Sequence, residues 1–159
     1  MEPGKYSNST GSHKITSEKQ AENTKHIIST IADVLFDSIE KSQENKEEQE
    51  ASEEALYFDE EKYFKEKSGL FDEESLKLLK VAPTAGIIND FITALSDCLQ
   101  LSAESLIVSL LYTNRLVTIT GMNIHATNWR LITLSSIQVA HKVCDDNPVS
   151  NDKIAFTYP

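Results

Sequence analysis

The strongest constraint on the fold is a series of three apolar blocks with helical spacing that begins beyond Pro83 and Gly86. Apolar residues at intervals of three and four predict helices that bury one face. The predicted helices cover residues 88–99, 102–119 and 128–144. We therefore expect an all-α protein whose folded core lies in the second half of the chain.

The ends of the second helix carry residues that commonly start and stop a helix. The Ser102 hydroxyl can accept a hydrogen bond from a free amide of the first turn, and Gly121 can end the helix in a left-handed turn. The third helix groups Trp129 with Val139 and Val143 on one side. Small side chains on this helix allow neighbouring helices to approach closely, so we expect it at the centre of the domain. The small residues are Ser135, Ser136 and Ala140.

The first half of the chain divides into three segments of different composition. Residues 1–23 have almost no large apolar side chains and are expected to form a disordered tail. Residues 24–41 carry the stripe of an amphipathic helix. Residues 42–85 are expected to form an acidic linker with short helical segments. The stripe consists of Ile27, Ile28, Ile31, Val34, Leu35 and Ile39.

Length and charge limit the classes of function. A chain of 159 residues has room for one compact domain and a tail, which excludes a multidomain enzyme. The net charge is −10, and 19 acidic against 11 basic residues precede Ala85. Binding to phosphate backbones or anionic membranes needs clustered Lys and Arg, so nucleic acid is not an expected partner. The polar N-terminus and the short apolar runs predict a cytoplasmic or nuclear protein without a membrane anchor.

Motifs that would indicate catalysis, a metal or a cofactor are not evident in the sequence. The glycines are scattered singly, and the chain contains no phosphate-binding loop, no HExxH zinc-binding motif and no GxSxG nucleophile elbow. We therefore expect no enzyme activity, no cofactor and no metal site. Cys98 and Cys144 are expected to be reduced, buried thiols. His141 lies three residues before Cys144, which leaves open a small thiol or hydrolytic enzyme as a rival hypothesis.

Two helices and the segment after them carry a family resemblance. The second helix reads SAESLIVSLLYTNRL over 102–116, and the third opens with NWR at 128–130 and closes with VAHKVCDD at 139–146. Asn151 and Phe156 fit the next segment. In this order and spacing, residues 86–159 resemble a partial cyclin box, its first three helices, and are most similar to the cyclin Y and Pho80-like branches of the cyclin family.

The resemblance implies a function. It implies a regulatory subunit, without catalytic activity of its own, that binds a cyclin-dependent protein kinase of the Pho85-like or cyclin-Y-partner type. In such complexes the Lys at the end of the third helix, here Lys142, packs against the mobile helix of the kinase and helps to hold it inward. By the same correspondence, Val139 and Val143 are implied to be apolar contacts of the kinase-binding site.

Two departures from the family leave an alternative open. Many cyclins pair an Arg on the first helix with an Asp on the second, whereas Asn114 stands at the second-helix position here and no Arg lies between Gly86 and Leu101. A cyclin box has five helices, and 13 residues follow Asp146. The alternative is a degenerate or truncated cyclin-like adaptor that does not activate a kinase. Otherwise the helix over 24–41 is expected to cover the apolar face that the fourth and fifth helices would cover.

Overall fold

The protein is all-helical over the residues that its computed structural model describes, which are 10–44, 53–66, 73–146, 148–152 and 154. No strand occurs in these ranges. Within them, no helix combines the length and the apolar character that are needed to span a membrane. The α-helices are α1 (Thr10–Glu44), α2 (Glu60–Glu66), α3 (Glu73–Leu79), α4 (Ala85–Leu99), α5 (Ala103–Thr120) and α6 (Trp129–Cys144), and a 3₁₀ helix covers Glu53–Phe58.

The first helix is longer than the sequence predicted. α1 begins at Thr10 rather than near residue 24, so the later part of the predicted disordered tail is helical, while residues 1–9 lie outside the described part of the chain. The side chains of residues 18–23 are exposed. Glu, Lys, Gln and Ala have high helix propensity, so the helix extends past its packed part without burying apolar surface.

The packed part of α1 covers the helices of the second half. Its predicted stripe lies in the core, where α1 packs on α4 and α5. α1 therefore covers an apolar face of α4 and α5, whereas it has no extensive contact with α6, the third predicted helix, among the described residues. Val34 departs from the stripe and is exposed. The buried stripe residues are Ile28, Ile31, Leu35 and Ile39.

The three predicted core helices are present; α5 has the expected ends, and α4 begins at Ala85, three residues earlier than predicted. The Ser102 hydroxyl accepts a hydrogen bond from the Ser105 amide at 3.1 Å, and Gly121 ends α5 in the left-handed region with φ 67°. α4 has a cap that the sequence did not indicate, because the Thr84 hydroxyl accepts from the Ile87 amide. These caps satisfy amides and carbonyls that a helix end otherwise leaves unpaired.

α5 and α6 form the most extensive helix pair. The residues they bury include Ser105 and Ser109 on α5 and Ser136 and Ala140 on α6. Small side chains at this contact let the two helices approach closely, as the sequence predicted. The hydroxyl of Ser105, in the first turn of α5, donates to the carboxylate of Asp145, just after α6, so the two helices are antiparallel.

Candidate interaction surface on α6

Three implied kinase contacts lie together on the solvent side of α6. Val139 is 47 % exposed and Val143 is 66 % exposed, although helical spacing alone grouped both with the buried Trp129. Lys142 is also exposed. Positions three and four apart on a helix are neighbours on its surface, so the three side chains form one patch. We call Val139, Lys142 and Val143 the α6 surface.

The opposite side of α6 holds this surface in place. Trp129, Ile132 and Ile137 are buried in the core, and the Trp129 ring meets Phe91 of α4 edge to face, with ring centroids 5.2 Å apart. Such aromatic pairs add specific geometry to apolar burial. The α6 surface therefore stands on a helix that cannot rotate without disrupting the core.

Asn151 fixes the direction of the Lys142 side chain. Its Oδ1 atom accepts a hydrogen bond from the Gln138 amide at 2.8 Å and another from the ammonium group of Lys142. Gln138 and Lys142 are one turn apart, so a single oxygen joins two turns of α6 to the segment that follows the helix. Phe156, the other residue of the resemblance in this segment, lies outside the described residues.

A buried histidine anchors that same segment. His141 Nδ1 is hydrogen-bonded to Asp145 Oδ2, and His141 Nε2 accepts from the Val149 amide at 3.2 Å. The tautomer therefore carries its proton on Nδ1. Asp145 Oδ2 also accepts from the Ser105 hydroxyl at 2.7 Å. One carboxylate thus connects the end of α6, the start of α5 and, through the imidazole, residue 149.

These contacts argue against the rival Cys/His enzyme. Both ring nitrogens of His141 have partners, so neither is left to activate Cys144. Ser105 is bonded to Asp145 and not to His141, so the three side chains do not form the relay of a serine hydrolase. No group of His, Cys, Asp or Glu side chains that could hold a metal occurs in the described ranges.

The expectation of buried thiols is wrong. Cys98 and Cys144 are both exposed. Cys98 lies on α4 beside the buried positions rather than among them, and Cys144 is the last residue of α6. Helical position decides the burial of a small apolar residue here, which residue type alone does not predict.

At its other end, α6 is joined to the segment that was expected to be a linker. The Glu60 side chain is 1 % exposed, and its Oε2 lies 2.9 Å from Nη1 of Arg130. The Arg130 guanidinium also lies over the Trp129 ring, 4.7 Å from its centroid. A cation in this position is attracted to the ring face as well as to the carboxylate. The sequence carries no local signal of this contact, because Glu60 lies in a run of charged residues.

Asn128 braces the loop that leads into α6. It is completely buried, its Oδ1 accepts from the His125 amide at 2.7 Å, and its Nδ2 donates to the Asn123 carbonyl at 2.9 Å. The NWR motif therefore has a structural role, since Asn128 closes the loop, Trp129 fills the core and Arg130 pairs with Glu60.

His125, in the same loop, has its pKa below the ordinary value of 6.5 because burial disfavours the charged imidazole, while the charge of Asp59 acts in the opposite direction. Its Nδ1 is hydrogen-bonded to the Thr127 hydroxyl at 3.1 Å. The ring therefore belongs to the packed structure of the loop.

Neither a protein-family model nor a solved structure matches this chain.

Proposed function

We propose that this protein is a cyclin-like regulatory subunit that binds a cyclin-dependent protein kinase through the α6 surface. The observation that carries the proposal is the exposure of Val139 and Val143 beside Lys142, on a helix whose other side is core. These are the positions that the cyclin-box resemblance implies as kinase contacts.

The chemistry of the α6 surface suits a protein partner. Exposed β-branched side chains lose little conformational freedom when a partner covers them. The adjacent ammonium adds charge complementarity toward an acidic or hydrogen-bond-accepting contact. Asn151 and His141 hold the segment beside this patch, which lowers the entropy that binding must remove.

Binding at this surface would act on the kinase by a population shift. An inward position of the mobile kinase helix completes the Lys–Glu ion pair that positions the phosphates of ATP. A subunit that binds only that arrangement raises its population by an amount set by the difference in affinity. The regulatory role therefore needs no catalytic group on this chain.

The test is a binding measurement between the purified full chain and a panel of purified cyclin-dependent kinases. Val139→Asp places a charge in the apolar part of the contact and should weaken binding at least about tenfold. Lys142→Glu reverses the charge and should also weaken it. Val34→Asp and Lys19→Glu are matched controls, because both residues are exposed and lie on α1.

Each result bears on the proposal. A loss of kinase affinity that is confined to the α6 variants supports it. An equal loss of affinity in the α1 controls would overturn it, as would the absence of binding to every kinase of the panel. A phosphotransfer assay on the complex then separates a regulator from an adaptor. Increased phosphotransfer supports activation, and binding without an increase assigns the adaptor role.

A further inference from the structure

A cleft between α1 and α5 lies apart from the α6 surface. It has a volume of about 250 Å³, and Asn123 and Ile124 of the loop after α5 also line it. Ligand sites for drug-sized molecules usually enclose roughly 300–1,000 Å³. The α1–α5 cleft therefore suits a smaller organic molecule.

The floor of the cleft is aliphatic. Leu35 of α1 is buried, and Leu110 and Val117 of α5 are packed against the core. A hydrocarbon chain that covers these side chains leaves water and gains about 25 cal/mol for each Å² of apolar area removed from it. The floor therefore selects an apolar body.

The cleft also contains a small set of polar groups. Thr113 is a buried polar residue, 5 % exposed, and its neighbour Asn114 contributes an amide at the same wall. Lys41 is the charged residue that lines the cleft, and no carboxylate pairs with it among the residues that the structure describes. Lys41 is exposed. An ammonium beside an aliphatic floor is complementary to an anionic head on an apolar tail.

We propose that the α1–α5 cleft binds a small aliphatic monocarboxylate, with the carboxylate at Lys41 and the hydrocarbon over Leu35 and Leu110. The Thr113 and Asn114 side chains supply hydrogen-bonding groups between the two ends. This site is independent of kinase binding, because none of its residues belongs to the α6 surface.

Octanoate is the probe, and titration of the isotope-labelled full chain followed by NMR is the measurement. Octanoate should shift the amide signals of residues 34–42 and 110–117 in a saturable way, with a dissociation constant on the order of 1 mM. Octanol, which has the same tail without the charge, should bind the same residues more weakly. Lys41→Met should weaken octanoate binding by about twofold to fivefold and leave octanol binding unchanged.

Two further variants keep the result interpretable. Lys25→Met removes an exposed α1 ammonium outside the cleft and should leave octanoate affinity unchanged. Val34→Trp fills the cleft from an exposed position, so it should block both probes without disturbing the core. The proposal would be overturned if the amide shifts occurred at other residues or if the two Lys variants had equal effects. It would also be overturned if only a peptide with a free C-terminal leucine shifted the signals.

Discussion

Arg130 of α6 and Glu60 are 70 positions apart in the chain and form an ion pair in which the Glu60 side chain is buried and the Arg130 side chain is 25 % exposed. The pair fixes the segment before α3 against the start of α6, beside the ring of Trp129.

Removal of the cation should be costly. Arg130→Met keeps the aliphatic stem but removes the guanidinium that pairs with the buried Glu60, and loss of one partner of a buried pair costs about 3–5 kcal/mol. Because Arg130 is partly solvated, we expect about 3 kcal/mol in the free energy of unfolding, measured with urea. The double variant Glu60→Gln/Arg130→Met should recover part of the loss. If the two substitutions changed the free energy of unfolding additively, the two side chains would not be coupled.

Thr133 should tolerate, or gain from, loss of its hydroxyl. Its Oγ1 is buried and has no hydrogen-bond partner among the described residues. Thr133→Val replaces this unpaired group with a methyl of similar shape, so stability should be unchanged or higher by up to about 1 kcal/mol. Thr133→Ser keeps the hydroxyl and removes a methyl, so it should lower stability by about 1 kcal/mol. Thermal melts of both variants measure this, and the reverse order would exclude the explanation.

Asp145→Ala should release the segment after α6. It removes the acceptor of Ser105 and His141, at a cost of about 1–3 kcal/mol. The His141 ring then loses its orientation, so the Val149 amide should exchange faster with solvent in hydrogen-exchange measurements. Asp146→Ala is the adjacent exposed control and should leave the exchange of that amide unchanged.

His125 should make stability depend on pH in one direction. Its pKa is lower in the folded protein than in the unfolded chain, so the unfolded chain takes up the proton first as the pH falls. Stability should therefore be greater above the ordinary value of 6.5 and decrease as the pH falls below it. His125→Asn should reduce the difference in unfolding free energy between about pH 7.5 and about pH 5.5. His26→Asn, at an exposed site, is the control and should leave this difference unchanged. If His125→Asn also left it unchanged, the assignment would be wrong.

Local signals predicted the parts of the fold that depend on neighbours in the chain. The helices over the second half follow from apolar spacing, and the caps at Ser102 and Gly121 follow from side-chain and backbone chemistry within one turn. The stripe over 24–41 likewise predicted a helix whose apolar face must be covered.

Contacts between distant segments could not be predicted from local sequence signals. Nothing in the composition around Glu60 distinguishes it from its charged neighbours, because it packs against residues that are distant in the chain, including Thr127 and Arg130. The exposure of Val139 and Val143 has the same origin, since helical spacing places both near the buried side and only the packing of the whole domain leaves them in solvent. The connection between His141 and Asp145 did have a sequence signal, their spacing of four along a helix end.

The two sides of α6 have a consequence for genetics. Substitutions at Ile132, Ser136 or Ala140 disturb packing and should reduce the amount of protein that accumulates in a cell. Substitutions at Val139, Lys142 or Val143 should leave abundance intact and affect only what the protein associates with. A mutational scan of this helix that records both abundance and phenotype should therefore separate its alleles into two classes. The positions of each class should recur along the helix once per helical turn.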